Sequence, residues 1–271
     1  MAPFAPEELS KFLDVATRAA KESSSLLLGY FKNISNVREK SNNLGLVSEA
    51  DLASEKAIVG ILKKNFPSHN IVAEESGDHK AKSDFTWYID PLDGTTNFVF
   101  GLRNWGLTLS LAYKGDIQVG VICFPLTGEI LTASKGSGAF LNGKKMLVSA
   151  RTQLEKSLVL FESDLDEDSL FRFPFLKKIV EKSYRIRMFG DAVSCIRFLA
   201  EGSVDGVILL KPKPWDVGAG YLLITEAGGK VTGLEGNGWK VSSQDFIASN
   251  GKIHSEIIGC VPENYRETSK H

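Results

Sequence analysis

Acidic residues in four places could do oxygen-only chemistry together. The run Asp90-Pro91-Leu92-Asp93-Gly94-Thr95-Thr96-Asn97 follows directly on the apolar Trp87-Tyr88-Ile89. Pro91 has no amide hydrogen to give a ladder, so the chain is expected to turn there, with Asp90 at the strand end and Asp93 one turn on. Two carboxylates then converge. Gly94 permits close backbone approach, and if Thr95 and Thr96 open a short helix their amides suit a phosphate. A plain Asp-Gly turn between strands would be spelled the same way. Glu74-Glu75-Ser76 ends the apolar Ile71-Val72-Ala73 run, although adjacent glutamates are ordinarily just solvated. Trp215-Asp216 lies between Lys211-Pro212-Lys213-Pro214 and a helical run, where an aspartate is an ordinary cap. Asp51, after Leu46-Val47-Ser48-Glu49-Ala50, has the same bland explanation.

The set says more than its members. Carboxylates gathered without a Cys or His cluster make a site of oxygen ligands, which selects hard Mg²⁺ or Mn²⁺ over zinc. His69, His79, His254 and His271 are scattered and are assigned to solvent or structure. Neither a GxSxG nucleophile elbow nor a GxxxxGK[ST] phosphate loop occurs, so serine nucleophiles and P-loop chemistry find no support.

The elements that must position these residues are legible from periodicity. Pro6 to Phe31 carries Leu9, Phe12, Leu13, Ala16 and Ala20 at helical spacing. A second helix follows Asp51, with Leu52, Val59, Leu62 and Phe66 on one stripe, Ser54, Glu55, Lys63 and Lys64 off it, and Pro67 as its stop. The period then changes to that of strands: Trp105 to Tyr113, Ile117 to Phe124, Ile130 to Ser134 and Ala139 to Leu141 are separated by turn residues and read as an antiparallel meander. From about Ala150 the pattern alternates: strand (Leu158 to Phe161), helix (Leu170 to Lys182), strand (Tyr184 to Met188), helix (Ala192 to Glu201), strand (Val204 to Leu210), helix (Ala219 to Ala227) and strand (Phe246 to Ala248). Alternation of this kind argues a layered α/β half. The expected organisation is an N-terminal α+β half over 1–150 with an antiparallel sheet, and a C-terminal α/β half over 151–271 that shares an interface with it.

Composition narrows the class. At 271 residues, 43% hydrophobic and 24% charged, the chain has the make-up of a folded enzyme-sized protein. Thirty-two basic against 33 acidic residues leave a formal charge of -1, so no field draws the whole molecule to nucleic acid or an anionic membrane. Cys123, Cys195 and Cys260 stand singly, which fits a reducing cytoplasmic setting rather than a disulfide framework. No stretch approaches the ~18 consecutive apolar residues of a membrane span, and no export signal opens the sequence.

Glu74-Glu75-Ser76, then Asp90-Pro91-Leu92-Asp93-Gly94-Thr95-Thr96-Asn97-Phe98, then Trp215-Asp216 with Glu226-Ala227-Gly228-Gly229 beyond it, resembles the inositol monophosphatase family of magnesium-dependent, lithium-sensitive phosphatases. The resemblance runs from Asp51 to the end of the chain. It implies a five-layered αβαβα sandwich of the sugar-phosphatase type and, as its leading activity, hydrolysis of inositol-1-phosphate to inositol and phosphate. It also implies two to three Mg²⁺ per site and a homodimer. Glu74, Asp90 and the Leu92 carbonyl would bind one metal; Asp90, Asp93 and Asp216 a second; Glu74 a third, weaker one. Asp51 and Thr95 would orient the attacking water, and the amides of Gly94 and Thr95 would hold the phosphate. Catalysis would be in-line displacement without a covalent enzyme intermediate.

Several residues depart from the pattern. Ser48 replaces the family's usual Thr, Gly45 stands where Asp is common, and Phe100 replaces a frequent His. Gly190-Asp191-Ala192 is similar to the family's Gly-Ser/Thr-Ala loop, with Ala192, a substrate contact by that resemblance, correctly spaced from Asp216 but Asp191 unusual. The glutamate that inositol-cleaving members carry seven residues before the final Asp falls on Leu209. The resemblance thus keeps the metal machinery and alters the substrate pocket. Other sugar phosphates, histidinol phosphate, NADP and fructose-1,6-bisphosphate stay open as substrates. A different class also stays open, since some bacterial members are partners of the transcription machinery; the near-neutral charge gives no sign of direct RNA binding.

Overall fold

The computed structural model describes residues 4–40, 45–163 and 172–263. In chain order, helix α1 (Pro6–Tyr30) leads to the small hairpin β1 (Val37–Glu39) and β2 (Leu46–Ser48), then to α2 (Glu49–Asn65). Strands β3 (Asn70–Ala73), β4 (Gly77–His79) and β5 (Phe85–Asp93) follow, with the single-turn helix α3 (Thr95–Val99) directly after. Then come β6 (Gly106–Tyr113), β7 (Asp116–Phe124), β8 (Glu129–Ser134), β9 (Gly138–Leu141) and β10 (Lys144–Lys145). The remainder is β11 (Leu158–Glu162), α4 (Phe173–Lys182), β12 (Arg185–Arg187), α5 (Ala192–Ala200), β13 (Gly206–Leu210), α6 (Pro214–Glu226), β14 (Lys230–Thr232), β15 (Asp245–Ser249) and α7 (His254–Ile258).

An eight-stranded sheet runs β10-β9-β8-β7-β6-β5-β3-β4, and a five-stranded sheet runs β12-β11-β13-β15-β14. The expected meander is there, since every neighbour from β5 to β10 is antiparallel, whereas β3 joins β5 in parallel. Three apolar cores separate the layers. On one face of the large sheet, Leu107, Leu109, Val119 and Val121 pack with Phe12, Ala16, Ile58 and Leu62 of α1 and α2. On its other face, Ile117, Ile122, Leu131 and Ala133 meet Val193, Ile196, Ala219 and Leu223 of α5 and α6. Those two helices also bury Leu160, Val207, Leu209 and Phe246 of the small sheet. The alternate residues Val159, Phe161, Ile208 and Ile247 turn outward to Phe175, Ile179 and Ile257 of α4 and α7. The order of layers is therefore α, β, α, β, α, as the resemblance implied. Because β13 is buried on both faces it is a continuous apolar run, Val207-Ile208-Leu209-Leu210, rather than an alternating one.

Close helix–sheet contact in the middle layer depends on missing side chains. A Cβ on Gly218 would stand 2.5 Å from Ser110 Oγ, and one on Gly220 would stand 2.3 Å from Ile196 Cδ1. The Gly-Ala-Gly run in α6 is a packing device.

Three expectations change. Helix α6 begins at Pro214, not Ala219; proline is tolerated in the first turn, where its missing amide hydrogen has no partner to lose. In α2, Leu52 is exposed while Ser54 and Glu55 are buried with Ile58 and Leu62, so the inward face is partly polar and the apolar stripe misreads it. Pro91 does not end β5: Asp90 pairs with Thr108, the register shifts, and the ladder resumes with Asp93 opposite Gly106. The proline sits in that irregularity, where no amide hydrogen is required. The expected helix from Leu170 is described from Phe173; Leu170 lies outside the described residues.

Candidate metal and phosphate site

Strand β5 delivers Asp90, Leu92 and Asp93 to one end of the large sheet, and the register irregularity lets residues on both sides of Pro91 face the same space. Asp90 Oδ1 accepts the Leu92 amide at 2.9 Å, which folds the bulge around its own carboxylate. Ser54 of α2 donates to the Pro91 carbonyl at 2.7 Å and fixes the bulge from behind. Gly94 turns the chain into α3 with φ +82°, and a Cβ there would stand 2.9 Å from the Asn104 carbonyl oxygen, so glycine is required twice over. Asn97 on α3 donates to the carbonyls of Asn104 and Phe189, 2.7 Å each, and ties this turn to the loop before α5.

Glu74 and Glu75 close β3. The turn that carries them is held by Glu55, whose carboxylate accepts the Glu75 and Ser76 amides at 2.9 Å each. Asp216 comes from the first turn of α6, where its Oδ2 accepts the Lys213 amide at 2.7 Å; it caps the helix from the third position rather than preceding it. Asp93 Oδ2 accepts the Val193 amide at 2.6 Å, at the start of α5.

Glu74, Asp90, Leu92, Asp93, Gly94, Thr95 and Asp216 line one hollow, together with Lys40, Gly45 and Gly190. Asp51 is wholly buried and reaches that hollow through Thr95, whose Oγ1 stands 3.0 Å from Asp51 Oδ1 and 2.9 Å from the Leu92 carbonyl. The other Asp51 oxygen accepts the amide and hydroxyl of Ser48, at 2.8 and 2.5 Å. Serine thus suffices where the family usually has Thr. Ala192 and Leu209 line an adjoining hollow with Glu162, Asp191 and Lys211; the two hollows share Asp93, Gly190 and Asp216. Leu209 also belongs to the central core and is only 2% exposed. Phe100 is exposed. His69, His79 and His254 line neither hollow: His69 stacks on Phe66 and Phe85, His79 contacts Ser76, and His254 is buried between Thr232 and Ser249.

Crowding leaves its mark on protonation. Burial, then the charges of Glu74, Asp93 and Asp216, push Asp90 well above the carboxylate range. Burial, Asp191 and Asp216 do the same to Asp93. Asp216 is pushed up to about 7, chiefly by burial. Burial also raises Glu75 to about 7, and it raises Asp51 against the hydrogen bonds from Ser48 and Thr95. Lys40 bridges Glu74 and Glu75 at 2.5 and 2.7 Å; burial works against its charge, but the two glutamates more than offset this and hold it firmly protonated.

Among the described residues, no three His, Cys, Asp or Glu side chains close on one point tightly enough to hold an ion as they stand. The donor set nevertheless fits a hard divalent cation. Carboxylates that resist ionisation because they are buried and, second, because they face one another lose much of that penalty when a cation enters between them. Among the described residues, Lys40 is the cationic side chain lining that hollow.

The sequence profile of the inositol monophosphatase family matches residues 8–265. The chain belongs to the inositol monophosphatase family. Among relatives, the fructose-1,6-bisphosphatase/inositol-1-monophosphatase of Thermotoga maritima is 35% identical over 255 residues, covering 94% of this chain and 97% of that one. A protein of Neisseria meningitidis serogroup B called putative Nus factor SuhB is 34% identical, covering 92% and 97%. The extragenic suppressor protein suhB of Bartonella henselae has a similar solved structure, with a TM-score of 0.89 at 30% identity, covering 93% of this chain and 99% of that one. Family membership makes phosphatase chemistry the general activity, while these names span different roles.

Sequence reasoning did not single out Lys40, Ser54 or Glu162. It set Ser54 and Glu55 off the apolar stripe of α2, with Lys63 and Lys64. Asp51 and Glu55 stand at i, i+4, one face of that helix, and a paired acidic face next to a buried stripe is a usable signal. Lys40 and Glu162 carry no local pattern.

Proposed function

We propose that the chain hydrolyses small phosphate monoesters with Mg²⁺, inositol-1-phosphate being the leading substrate. The carrying observation is that Glu74, Asp90, Asp93 and Asp216, from three separate elements, line one hollow beside the Asp51–Thr95 pair. Glu74, Asp90 and the Leu92 carbonyl would hold one ion, Asp90, Asp93 and Asp216 a second, and Glu74 a third. Bound divalent cations would acidify the attacking water and neutralise charge on the phosphate and the leaving alkoxide.

The chain's own groups have distinct tasks. The Thr95 hydroxyl, oriented by Asp51, accepts or passes a proton of the attacking water and fixes its line of approach. Asp51 is suited to this because burial raises its proton affinity while Ser48 holds its second oxygen still. The Gly94 and Thr95 amides would orient the phosphate at the start of α3. Water oxygen bonds to phosphorus as the ester P–O bond breaks, and the departing alkoxide takes up a proton. Ala192 and Leu209 would face the alcohol portion. Without a glutamate at 209, ring hydroxyls lose a charged acceptor, so discrimination among polyol phosphates should be weak.

Asp93→Asn tests the reading: it keeps side-chain volume, removes a charge, and is expected to abolish turnover in a folded protein. Phosphate release at near wild-type rate from this variant in saturating Mg²⁺ would exclude the site. A screen over inositol, other sugar, histidinol and nucleotide phosphates assigns the substrate, and millimolar Li⁺ should inhibit. We further propose a cytoplasmic homodimer whose two halves, 1–150 and 151–271, complete the site together. The likeness to SuhB proteins supports a second reading, a partner of the transcription machinery; co-purification of transcription factors with the Asp93→Asn variant would favour it.

A further inference from the structure

We propose that Glu162 is a positioning residue for the metal site, gripping the Phe189–Gly190 segment so that the start of α5 holds Asp93 in place. This rests on the phosphatase reading and concerns the same site. Glu162 ends β11 beside Leu209 of β13 and lines the second hollow, yet its carboxylate is occupied within the protein. Oε1 accepts the Phe189 amide and, at 3.6 Å, the Cys195 thiol of α5; Oε2 accepts the Gly190 amide at 3.1 Å. The same segment is held from α3, where Asn97 Nδ2 donates to the Phe189 carbonyl at 2.7 Å. Both polar groups of the Phe189–Gly190 peptide are therefore fixed, one by each side chain. Gly190 is set at φ +76°, and a Cβ there would stand 3.2 Å from Asn97 Oδ1, so the segment has little room to shift towards α3.

Three residues beyond Gly190, the Val193 amide donates to Asp93 Oδ2 at 2.6 Å. Val193 lies in the first turn of α5, whose leading amides have no acceptor in their own helix, so the path of the preceding segment decides what they bond. Asp191 takes the Ser194 amide at 2.6 Å and caps the helix, while the Val193 amide goes to Asp93. A line of contacts thus runs from Glu162 through residues 189–193 to a carboxylate that lines both hollows. A carboxylate suits the task because it offers two acceptor oxygens to two successive amides, each bond strengthened by its charge. Glutamine would present one oxygen and one NH₂ group, so one of the two amides would face another donor.

The test joins amide hydrogen exchange in the metal-free protein to Mg²⁺ titration calorimetry. In wild type the Gly190 and Val193 amides are expected to exchange slowly, although one belongs to an exposed loop residue and the other to a helix start. Exchange of Gly190 at the rate of an open loop overturns the proposal, and this measurement requires no variant. Glu162→Gln keeps the side-chain volume and should speed exchange at Gly190 and Val193 while the amides of β6 and β7 stay protected. It should also weaken Mg²⁺ binding by roughly tenfold, the lower end of what losing an outer partner of a metal ligand costs. Added to Asp93→Asn, it should change Mg²⁺ affinity by less than about twofold, because the ligand it positions is already gone. Additive losses would show Glu162 acting through its charge alone and overturn the proposal. So would unchanged Val193 exchange and Mg²⁺ affinity in Glu162→Gln; either result leaves the phosphatase reading standing. A wild type that binds no Mg²⁺ overturns both.

Discussion

Asp216 shows how one residue carries both fold and chemistry. Its carboxylate caps α6 through Lys213, yet burial and the charge of Glu74 push it up to about 7 from 3.8. Between those values the folded, metal-free protein holds a proton that the unfolded chain has released, so stability declines as pH rises from about 4 to 7. A divalent cation removes the penalty only where the group must ionise. Mg²⁺ is therefore expected to raise the melting temperature more at pH 8 than at pH 5, and Asp216→Asn should shrink that difference; equal shifts at both pH values in calorimetry would count against a cation beside Asp216. Leu209 has two neighbours to satisfy, the central core and the second hollow. Leu209→Glu is expected to cost roughly 2–4 kcal/mol by burying an unpaired carboxyl, which lowers the melting temperature by about 5–15 °C. If its side chain also reaches substrate, the kcat/KM ratio of inositol-1-phosphate to glycerol-2-phosphate rises. A large melting shift with an unchanged ratio would confine Leu209 to packing.

At the level of elements, the entrance to α2 links helix stability to the water-orienting pair. Ser48 Oγ accepts the Ala50 amide at 3.2 Å and donates to Asp51 Oδ2, while the Ser48 amide donates to the same oxygen, a reciprocal cap. Ser48→Ala should cost about 1 kcal/mol of stability, the usual value of a lost cap. It should also lower kcat, because Asp51 loses one of the donors that aim it at Thr95, and Ser48→Thr should restore both. Full activity in a measurably destabilised Ser48→Ala protein would separate the cap from the chemistry. The same logic governs the start of α5, where the Val193 amide holds Asp93 and the Ser194 amide holds Asp191, so a single helix end orients two acids of adjoining hollows.

Across the whole molecule, five layers bring distant segments to one place, and their outer joints have their own pH sensitivity. His254 opens α7, fully enclosed, with Nε2 beside Thr232 Oγ1 and Nδ1 beside Ser249 Oγ, both at 2.9 Å. Burial, with a smaller contribution from Lys230, lowers its pKa from 6.5 to about 4. Below 6.5 the unfolded chain takes up a proton that the folded one refuses, so stability is lost as pH falls from about 6.5 to 4, by at most about 3 kcal/mol. His254→Gln should remove that part of the decline; chemical denaturation of both proteins at pH 7 and pH 4.5 checks it, and parallel losses would show that His254 is not responsible.

Sequence alone determined the antiparallel run from β6 to β9 and the candidacy of Glu74, Asp90, Asp93 and Asp216. Those properties live in local signals: periods of 2 and 3.6, turn residues, and acids spaced along strand ends and helix starts. Tertiary structure decided what such signals do not carry. The inward polar face of α2, where Ser54 and Glu55 brace the bulge and the Glu74–Ser76 turn, appears only when β5 and β3 are packed beside it. The continuation of β5 past Pro91 depends on β6 as a partner, and the meeting of Asp93 with α5 joins residues 100 positions apart in the chain. Asp191 in the sequence is only the unusual member of a Gly-Asp-Ala loop; its place as the cap of α5 and on the wall of the second hollow exists only on folding. Local preference fixes which residues can form an element, whereas burial and charge at a site are sums over neighbours that the chain brings together only on folding.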